Sequence, residues 1–210
     1  DIDKSNQNAD IYSYIPAIKK IVEYGGWCVR VGDPTMKALP ELDNVIDYAN
    51  SRIKSEYMDV FLMASSMFHV GHSGVFSIAS SFDVPYAMVN QPLLSAATLW
   101  GDVAIPKLIS KKNSGELLSF NKCFSTDIGT YDYKDDLDKA EVSLIDNTPD
   151  EITDVILEMI SRMEGDIIYS KEDEKLQESF TRMLKPHHHG YYGTARIGQK
   201  FLGKYQYLLK

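Results

Sequence analysis

One stretch, residues 57–90, most constrains the fold of this chain, because its apolar residues switch repeatedly between a helical and an extended pattern. An apolar, helix-like segment over residues 57–66 leads into a strand-like run over residues 67–71. A second helix-like segment covers residues 75–82, and another strand-like run covers residues 86–89. The pattern predicts a β-turn-α-β unit with small residues where the first strand meets the second helix.

The same alternation continues outside this stretch and indicates the fold class. Strand-like runs alternate with helices at least four times in 210 residues, which predicts an α/β fold with a Rossmann-like parallel sheet and helices on both faces. We expect residues 1–165 to form this domain. We expect residues 166–210 to supply carboxyl-terminal helices that pack on it, or on an amino-terminal domain preceding this chain.

Apolar spacing and chain-breaking residues predict the elements on either side of the unit. Residues 11–22 carry a helical apolar stripe, and residues 27–31 are typical of a buried strand. Because Pro106 has no backbone donor, we expect residues 102–108 at an edge of the sheet or in an extended segment. Residues 141–146 are expected to form the last core strand.

The carboxyl-terminal part of the chain is predicted to be helical. Residues 148–151 (TPDE) have the pattern of a capping box with proline at the first helical position. The apolar stripe that follows ends at Gly165. Two more helices are expected over residues 172–184 and 194–209.

Charge and composition exclude several classes of protein. The formal net charge of −8 argues against a sequence-independent nucleic-acid binder, which needs a basic face. No apolar run approaches the roughly 18–20 residues of a membrane span, and no secretory leader is visible. Cys28 and Cys123 lie far apart, as expected of reduced structural thiols. We therefore expect a cytoplasmic protein without a membrane span, and peripheral membrane association stays open.

The turn His72-Ser73-Gly74 is the first candidate binding feature. It lies where a predicted strand meets a predicted helix, and the unpaired backbone N–H groups of a helix start attract anions such as phosphate. Gly74 would let a ligand approach the backbone closely, and His72 would point towards the loop edge. Ser73 alternatively caps the helix, which is compatible with the same role.

Arg30 is the second candidate, because it lies near the carboxyl end of an otherwise apolar predicted strand. A buried arginine needs a partner. That partner is either Asp33 or another carboxylate, or the phosphate of a ligand, for which the planar guanidinium is well suited. Gly32 and Asp33 end this strand and complete this part of the candidate site.

Asn90 is the third candidate, at the end of the next predicted strand and on the same sheet edge as the turn that contains His72. Ligands of open α/β sheets bind outside the carboxyl ends of the strands. An amide side chain there suits a base, a ribose or a sugar hydroxyl. The alternative is an asparagine that only forms the turn after the strand.

Metal sites and several enzyme classes have no comparable support in the sequence. Residues 127–139 are rich in aspartate, but they lack the calcium-loop pattern, so a solvated loop or helix face is expected. Three consecutive histidines, residues 187–189, cannot all converge on one ion in regular structure. The chain contains no G-x-S-x-G, Walker P-loop or G-x-G-x-x-G motif, which disfavours a serine hydrolase, an ATPase and a Rossmann dehydrogenase.

Ordered strings of residues along almost the whole chain are similar to those of one enzyme family. They are NADIYSYIPAIKKIVEYGGWCVRVGDPTMKALP, NVIDYANS, YMDVFL, GHSGVFSIASSFDVPYAMVN, DVAIPKL, DNTPDEI and ARIGQKFLGKY. Through them the chain resembles bacterial glycosyltransferases encoded in surface-polysaccharide gene clusters and, more distantly, fucosyltransferase-like enzymes. The family usually has a small polar residue in place of His72, and its sequence continues upstream through a strand with a His-x-Arg element.

The resemblance implies the carboxyl-terminal, donor-binding half of a GT-B enzyme that transfers a sugar from a nucleotide-sugar to a surface polysaccharide or glycan acceptor. It implies that Arg30, Ser73 and Gly74 contact the donor phosphates, and that His72 and Asn90 line the donor cleft. It also implies metal-independent transfer, no cofactor besides the nucleotide-sugar substrate, and a general base from the amino-terminal half. A non-catalytic carbohydrate- or partner-binding module and a nucleotide-sugar epimerase are the alternatives.

Overall fold

A four-stranded parallel sheet forms the centre of the structure, a computed structural model that describes residues 8–72 and 74–210. Its strands, numbered along the chain and given in spatial order, are His69–Val70 (β3), Tyr86–Gln91 (β4), Val103–Pro106 (β5) and Arg196–Ile197 (β8). All three pairs of neighbouring strands are parallel. The predicted α/β class with a parallel, Rossmann-like sheet is confirmed at this level.

Two short ribbons, eight α-helices and several short 3-10 helices complete the described elements. The remaining strands are Cys28–Val29 (β1), Val45–Ile46 (β2), Leu108–Lys111 (β6) and Val142–Ile145 (β7). The helices are Ile15–Glu23 (α1), Glu56–Ser65 (α2), Phe76–Ser81 (α3), Phe120–Ser125 (α4), Lys134–Lys139 (α5), Pro149–Glu164 (α6), Lys171–Thr181 (α7) and Gln199–Lys204 (α8).

The β-turn-α-β unit predicted from residues 57–90 is present as α2, β3, α3 and β4. The hydroxyl of Ser55 accepts a hydrogen bond from the Met58 N–H and so caps the start of α2. β3 and β4 pair in parallel, with His69 opposite Tyr86. The short apolar segments are therefore assigned correctly, within two residues at each end.

The two faces of the sheet carry separate clusters of buried side chains. Ala87 and Val89 of β4 point into the main core, which also contains Ile152 and Val155 of α6. Met88, between them in the strand, belongs to a smaller cluster on the other face, against which Phe76 of α3 packs. This alternation is the period-two pattern of a strand that is covered by helices on both sides.

Residues 27–31 do not form the buried core strand that the sequence predicts. Only Cys28 and Val29 are extended, and they pair with β2 in a two-stranded ribbon apart from the central sheet. Trp27 is 66% exposed and Val29 is 38% exposed. An apolar run of this length does not by itself distinguish an exposed ribbon from a core strand, and this part of the prediction is wrong.

Pro106 does not place its strand at an edge of the sheet, so the edge alternative of this prediction is wrong. β5 lies between β4 and β8, with Pro106 as its last residue opposite Gln91. The pairing of β5 with β8 involves only Val103 and Ala104, so the missing N–H of Pro106 interrupts no ladder bond on that side. A proline is compatible with an interior strand at this terminal position.

The last core strand is β8, and residues 141–146 do not have this role. They contain β7, which pairs antiparallel with β6 in a separate ribbon, and Ile145 is 39% exposed. Residues 194–209, predicted as one helix, contain β8, α8 and a closing 3-10 turn. A two-residue strand is too short to produce a recognisable alternation in the sequence.

Helix α6 is the longest described helix and agrees closely with its prediction. The Thr148 hydroxyl accepts from the Glu151 N–H, and the Glu151 carboxylate accepts from the Thr148 N–H, which completes the capping box. Gly165 ends the helix in the left-handed conformation, with φ of 78°. Helices α1 and α8 pack against α6, and α7 packs against α8.

Candidate ligand site at the carboxyl edge of the sheet

The carboxyl ends of three neighbouring strands bring polar side chains to one edge of the sheet. His72 follows β3 by two residues, Asn90 is the second-last residue of β4, and Lys107 follows β5 directly. The Lys107 N–H donates to the Gln91 carbonyl at 2.9 Å, which fixes the relative height of the last two strand ends. This edge is where ligands of open parallel α/β sheets bind.

Asn90 is held by a reciprocal pair of hydrogen bonds with Asn147, just before α6. The Asn90 N–H donates to the Asn147 side-chain oxygen at 2.6 Å, and the Asn147 N–H donates to the Asn90 side-chain oxygen at 2.7 Å. The Asn90 amide also donates to the Tyr14 hydroxyl at 3.2 Å. Asn90 is 1% exposed, and its φ of 58° is a conformation that asparagine tolerates well.

These contacts engage the Asn90 side chain within the protein, as the turn-forming alternative expects. Its side-chain oxygen and nitrogen both bind within the protein. The Asn147 amide in turn donates to the Pro106 carbonyl at 2.9 Å, so the asparagine pair joins the ends of β4 and β5 to the start of α6. The predicted position of Asn90 at the sheet edge is confirmed, while its contact with a ligand stays a prediction.

Lys107 is a buried cation at the same edge. Its side chain is only 2% exposed, and its ammonium lies 2.8 Å from a carboxylate oxygen of Asp146, which is 47% exposed. The ammonium also donates to the Asn8 carbonyl at 2.8 Å. A buried ammonium needs such partners, and the exposed carboxylate marks where the ion pair meets solvent.

His72 is half-buried beside this ion pair and is neutral near pH 7. Burial is the largest cause that lowers the pKa of its imidazole, and the charge of Lys107 lowers it further, while Asp132 acts in the opposite direction. A neutral imidazole has one donor and one acceptor nitrogen. His72 therefore offers this edge a hydrogen-bonding group without a net charge.

Tyr14 reaches the edge from the turn before α1. Burial raises the pKa of its phenol, the hydrogen bond from Asn90 opposes this rise, and the negative charge of Asp146 adds to it. The phenol is therefore protonated over the physiological range. Together with His72, it makes the edge rich in neutral hydrogen-bonding groups around one buried ion pair.

The turn after β3 differs in detail from the sequence prediction. Ser73 lies outside the described residues, so its predicted phosphate contact and its capping role stay predictions. Helix α3 begins at Phe76 after Val75, with no side-chain cap, and is six residues long. Gly74 is exposed, and a Cβ atom added to it would meet nothing within 4 Å. Its predicted close approach to a ligand is therefore sterically open.

Arg30 is buried and paired with a carboxylate, which is one of the two alternatives that the sequence left open. Its Nη1 lies 2.7 Å from Asp47, its Nη2 donates to the Lys37 carbonyl at 3.2 Å, and the residue is 7% exposed. Asp47 also accepts from the Leu39 N–H at 2.8 Å. Arg30 and Asp47 thus hold the loop over residues 31–39, and contact with a phosphate would require Arg30 to leave this pair.

Asp47 is ionised through these contacts. Burial would raise the pKa of its carboxyl, but hydrogen bonds from Leu39, Arg30 and Asn50 outweigh that effect, and the pKa lies below its usual value. Asp33 is exposed and does not pair with Arg30. Its carboxylate instead accepts from the Thr35 N–H and hydroxyl in a local turn.

Only glycine fits well at position 32, for steric and conformational reasons. Its φ of 152° lies in a region that L side chains rarely adopt, and a Cβ atom there would lie 2.9 Å from the Met36 sulfur. It begins the loop that Arg30 and Asp47 hold. The structure brings Gly32, Asp33 and Arg30 together at the end of β1, on a ribbon separate from the central sheet.

The aspartate-rich segment, the histidine triplet and the two cysteines were the other candidates for metal binding or reactivity. Over residues 8–72 and 74–210, no group of three histidine, cysteine or acidic side chains is placed to hold a metal ion. His188 is buried, with Nδ1 accepting from the Lys185 N–H at 3.1 Å. Cys28 and Cys123 are free thiols, and burial raises their pKa to about 11 and about 12, which makes both poor nucleophiles.

Three residues of this edge, Tyr14, Lys107 and Asn147, are missing from the sequence-based set. Asn147 directly follows the strand predicted over residues 141–146, the same signal that selected Asn90, whereas Lys107 lies inside the segment predicted over residues 102–108. Tyr14 occupies a regular position in a helical apolar stripe, so only the tertiary structure identifies its contact with Asn90.

None of the described helices is both long and apolar enough to cross a lipid bilayer. Comparison with protein-family models, with curated proteins and with solved structures found no match for this chain. The description of the site therefore depends on the geometry above.

Proposed function

We propose that the carboxyl edge of the sheet binds a nucleotide-sugar, and that this chain is the donor-binding half of a metal-independent glycosyltransferase. The observation that carries the proposal is the convergence of His72, Asn90 and Lys107 at the ends of three adjacent parallel strands. Such an edge is the usual ligand site of an open α/β sheet. The resemblance of the ordered sequence strings to surface-polysaccharide glycosyltransferases supplies the reaction class.

The proposed contacts differ from those first expected at Arg30 and Asn90. His72 would donate to or accept from the donor, because its neutral ring is only half-buried. Backbone N–H groups of the turn that includes Gly74 would face the diphosphate. Asn90 would shape the edge through Asn147, and Arg30 would position the neighbouring loop, because both side chains already have internal partners.

The electrostatic argument concerns the diphosphate that leaves during sugar transfer. Hydrogen-bond donors fixed by the fold stabilise such developing charge without reorganising during the reaction. Lys107 would add a positive charge beneath the edge, partly balanced by Asp146.

Two alternatives predict different reactions with a nucleotide-sugar. Conversion of the nucleotide-sugar to its epimer without an acceptor would favour an epimerase over a transferase, and binding of the nucleotide-sugar without turnover would favour the non-catalytic module.

The first test is calorimetric titration with uridine and guanosine diphosphates. We expect one of them to bind, and we expect His72→Ala to weaken that binding about tenfold, the effect of losing roughly one hydrogen bond. His189→Ala is the matched control, since His189 is exposed and lies outside this edge in the described structure. Binding by neither nucleotide, or equal binding by wild type and His72→Ala, would contradict the proposal.

A further inference from the structure

Helix α2 has an exposed apolar face in addition to the side that packs into the protein. Met63 is 2% exposed and joins a small core cluster with Ala79 of α3 and Val84. Tyr57 and Phe61 are 80% and 52% exposed, respectively. The solvent-facing positions of a surface helix are normally polar, so these exposed apolar side chains are unusual for α2.

The exposed side follows the spacing of one helical face. Tyr57, Val60 and Phe61 have the i, i+3, i+4 relation, and Ile53, just before the Ser55 cap, is 69% exposed. These four side chains, Ile53, Tyr57, Val60 and Phe61, are called the α2 face below. Its length is set by a helix of ten residues, so the surface it presents is compact.

We propose that the α2 face is an interface on which a second copy of this chain docks, with the two α2 helices packed about a twofold axis. A closed twofold dimer needs only one self-complementary patch on each subunit. Helix-on-helix packing with apolar side chains at i, i+3 and i+4 is an established form of such contact.

The area of the α2 face agrees with the apolar share of a stable interface. An exposed aromatic side chain presents about 150–250 Å², so the four side chains at their observed exposures offer on the order of 400 Å². A standard interface buries roughly 800 Å² on each partner, of which somewhat more than half is non-polar. The α2 face would supply almost all of that apolar part, with polar neighbours forming the rim.

Charge favours a second copy over an anionic membrane. The whole chain carries −8, but the charges of residues 52–61, which contain the α2 face, sum to zero: Arg52 and Lys54 against Glu56 and Asp59, with Lys54 and Asp59 paired at 2.8 Å. Two copies of an acidic chain meet with least repulsion where the local charge is close to zero. An anionic lipid surface would instead require an excess of lysine or arginine beside the apolar face.

Sedimentation velocity over a wide concentration range tests the proposal on the full chain, without any nucleotide. We expect a reversible monomer–dimer equilibrium, and we expect Phe61→Glu to weaken dimerisation at least about tenfold, because it buries a charge at the centre of the interface. Ile168→Glu is the matched control, since Ile168 is 84% exposed and lies between α6 and α7. This control should dimerise like the wild type.

A second variant and a second measurement keep the test independent of folding defects in Phe61→Glu. Tyr57→Lys should also weaken the dimer, and amide hydrogen exchange in α2 should slow as wild-type concentration rises. A monomer at every concentration, or a dimer that both α2 variants leave intact, would overturn the proposal. Binding of wild type, but not of Phe61→Glu, to phosphatidylserine vesicles without self-association would also overturn it and assign the α2 face to a membrane.

Discussion

His69 is a mostly buried histidine, and it should lower the free energy of unfolding in acid. Its ring stacks on Tyr86 with 5.3 Å between centroids, and its Nε2 finds no hydrogen-bond partner among the described residues. Burial lowers its pKa to about 4. Since the unfolded state binds a proton near pH 6.5, the contribution of neutral His69 to stability is complete above pH 6.5 and is lost as pH falls from 6.5 to about 4.

His69→Phe tests this expectation, because it preserves the stack on Tyr86 and removes the titrating group. We expect its free energy of unfolding to fall less than that of the wild type between pH 6.5 and pH 4, by as much as about 3 kcal/mol. Urea denaturation at a series of pH values measures the difference. Parallel pH profiles for the two proteins would show that His69 is already solvated in the native state.

Helix α6 connects the sheet to the carboxyl-terminal segment through one buried carboxylate. Glu151 is 5% exposed and accepts hydrogen bonds from the Thr148 N–H, the Lys204 ammonium and the Tyr205 hydroxyl. Burial would raise the pKa of its carboxyl, but these bonds outweigh that effect and the pKa is lowered. The carboxylate thus both caps α6 and binds α8 and the residue after it.

Removing this carboxylate should cost more than removing an exposed one on the same helix. We expect Glu151→Ala to lower the free energy of unfolding by about 2–4 kcal/mol, because it removes the cap of α6 and leaves the buried Tyr205 hydroxyl without its acceptor. The control is Asp154→Ala, which breaks a more exposed ion pair with Lys200 and should cost less than about 1 kcal/mol. Guanidinium denaturation measures both, and similar values for the two variants would contradict the connecting role of Glu151.

Helix α6 and strand β5 show which features of the fold local sequence patterns can predict. The capping box at Thr148 and the stop at Gly165 are local chemistry, and both were predicted at the correct residues. The position of β5 inside the sheet was not predicted, because it depends on pairing with β8, a two-residue strand some ninety positions later. Likewise, the sequence predicts that Arg30 has a partner, but only the tertiary structure identifies that partner as Asp47.

At the scale of the whole molecule, the carboxyl-terminal segment is part of the central core. β8 pairs in parallel with β5 in the central sheet, and α8 packs against α6. Phe180 and Ile197 are 0% and 1% exposed within the main cluster of buried side chains. Residues 1–165 alone would therefore lose one strand of the sheet and one side of their core, whereas the sequence predicted only helices that pack on this domain or on a preceding one.

We accordingly expect a chain ending at residue 165 to fail to fold cooperatively. Exposing the apolar surface that faces Phe180, Ile197 and Leu202 removes burial worth about 5–9 kcal/mol for these three side chains alone, which is comparable to the usual net stability of a domain. Near-ultraviolet circular dichroism should show lost tertiary packing, and urea unfolding should lose its sigmoidal transition. Adding a peptide of residues 166–210 should restore both signals, because the missing strand and helices pack on surfaces that the first segment supplies. A sharp unfolding transition of residues 1–165 alone would instead mean that the core closes without β8.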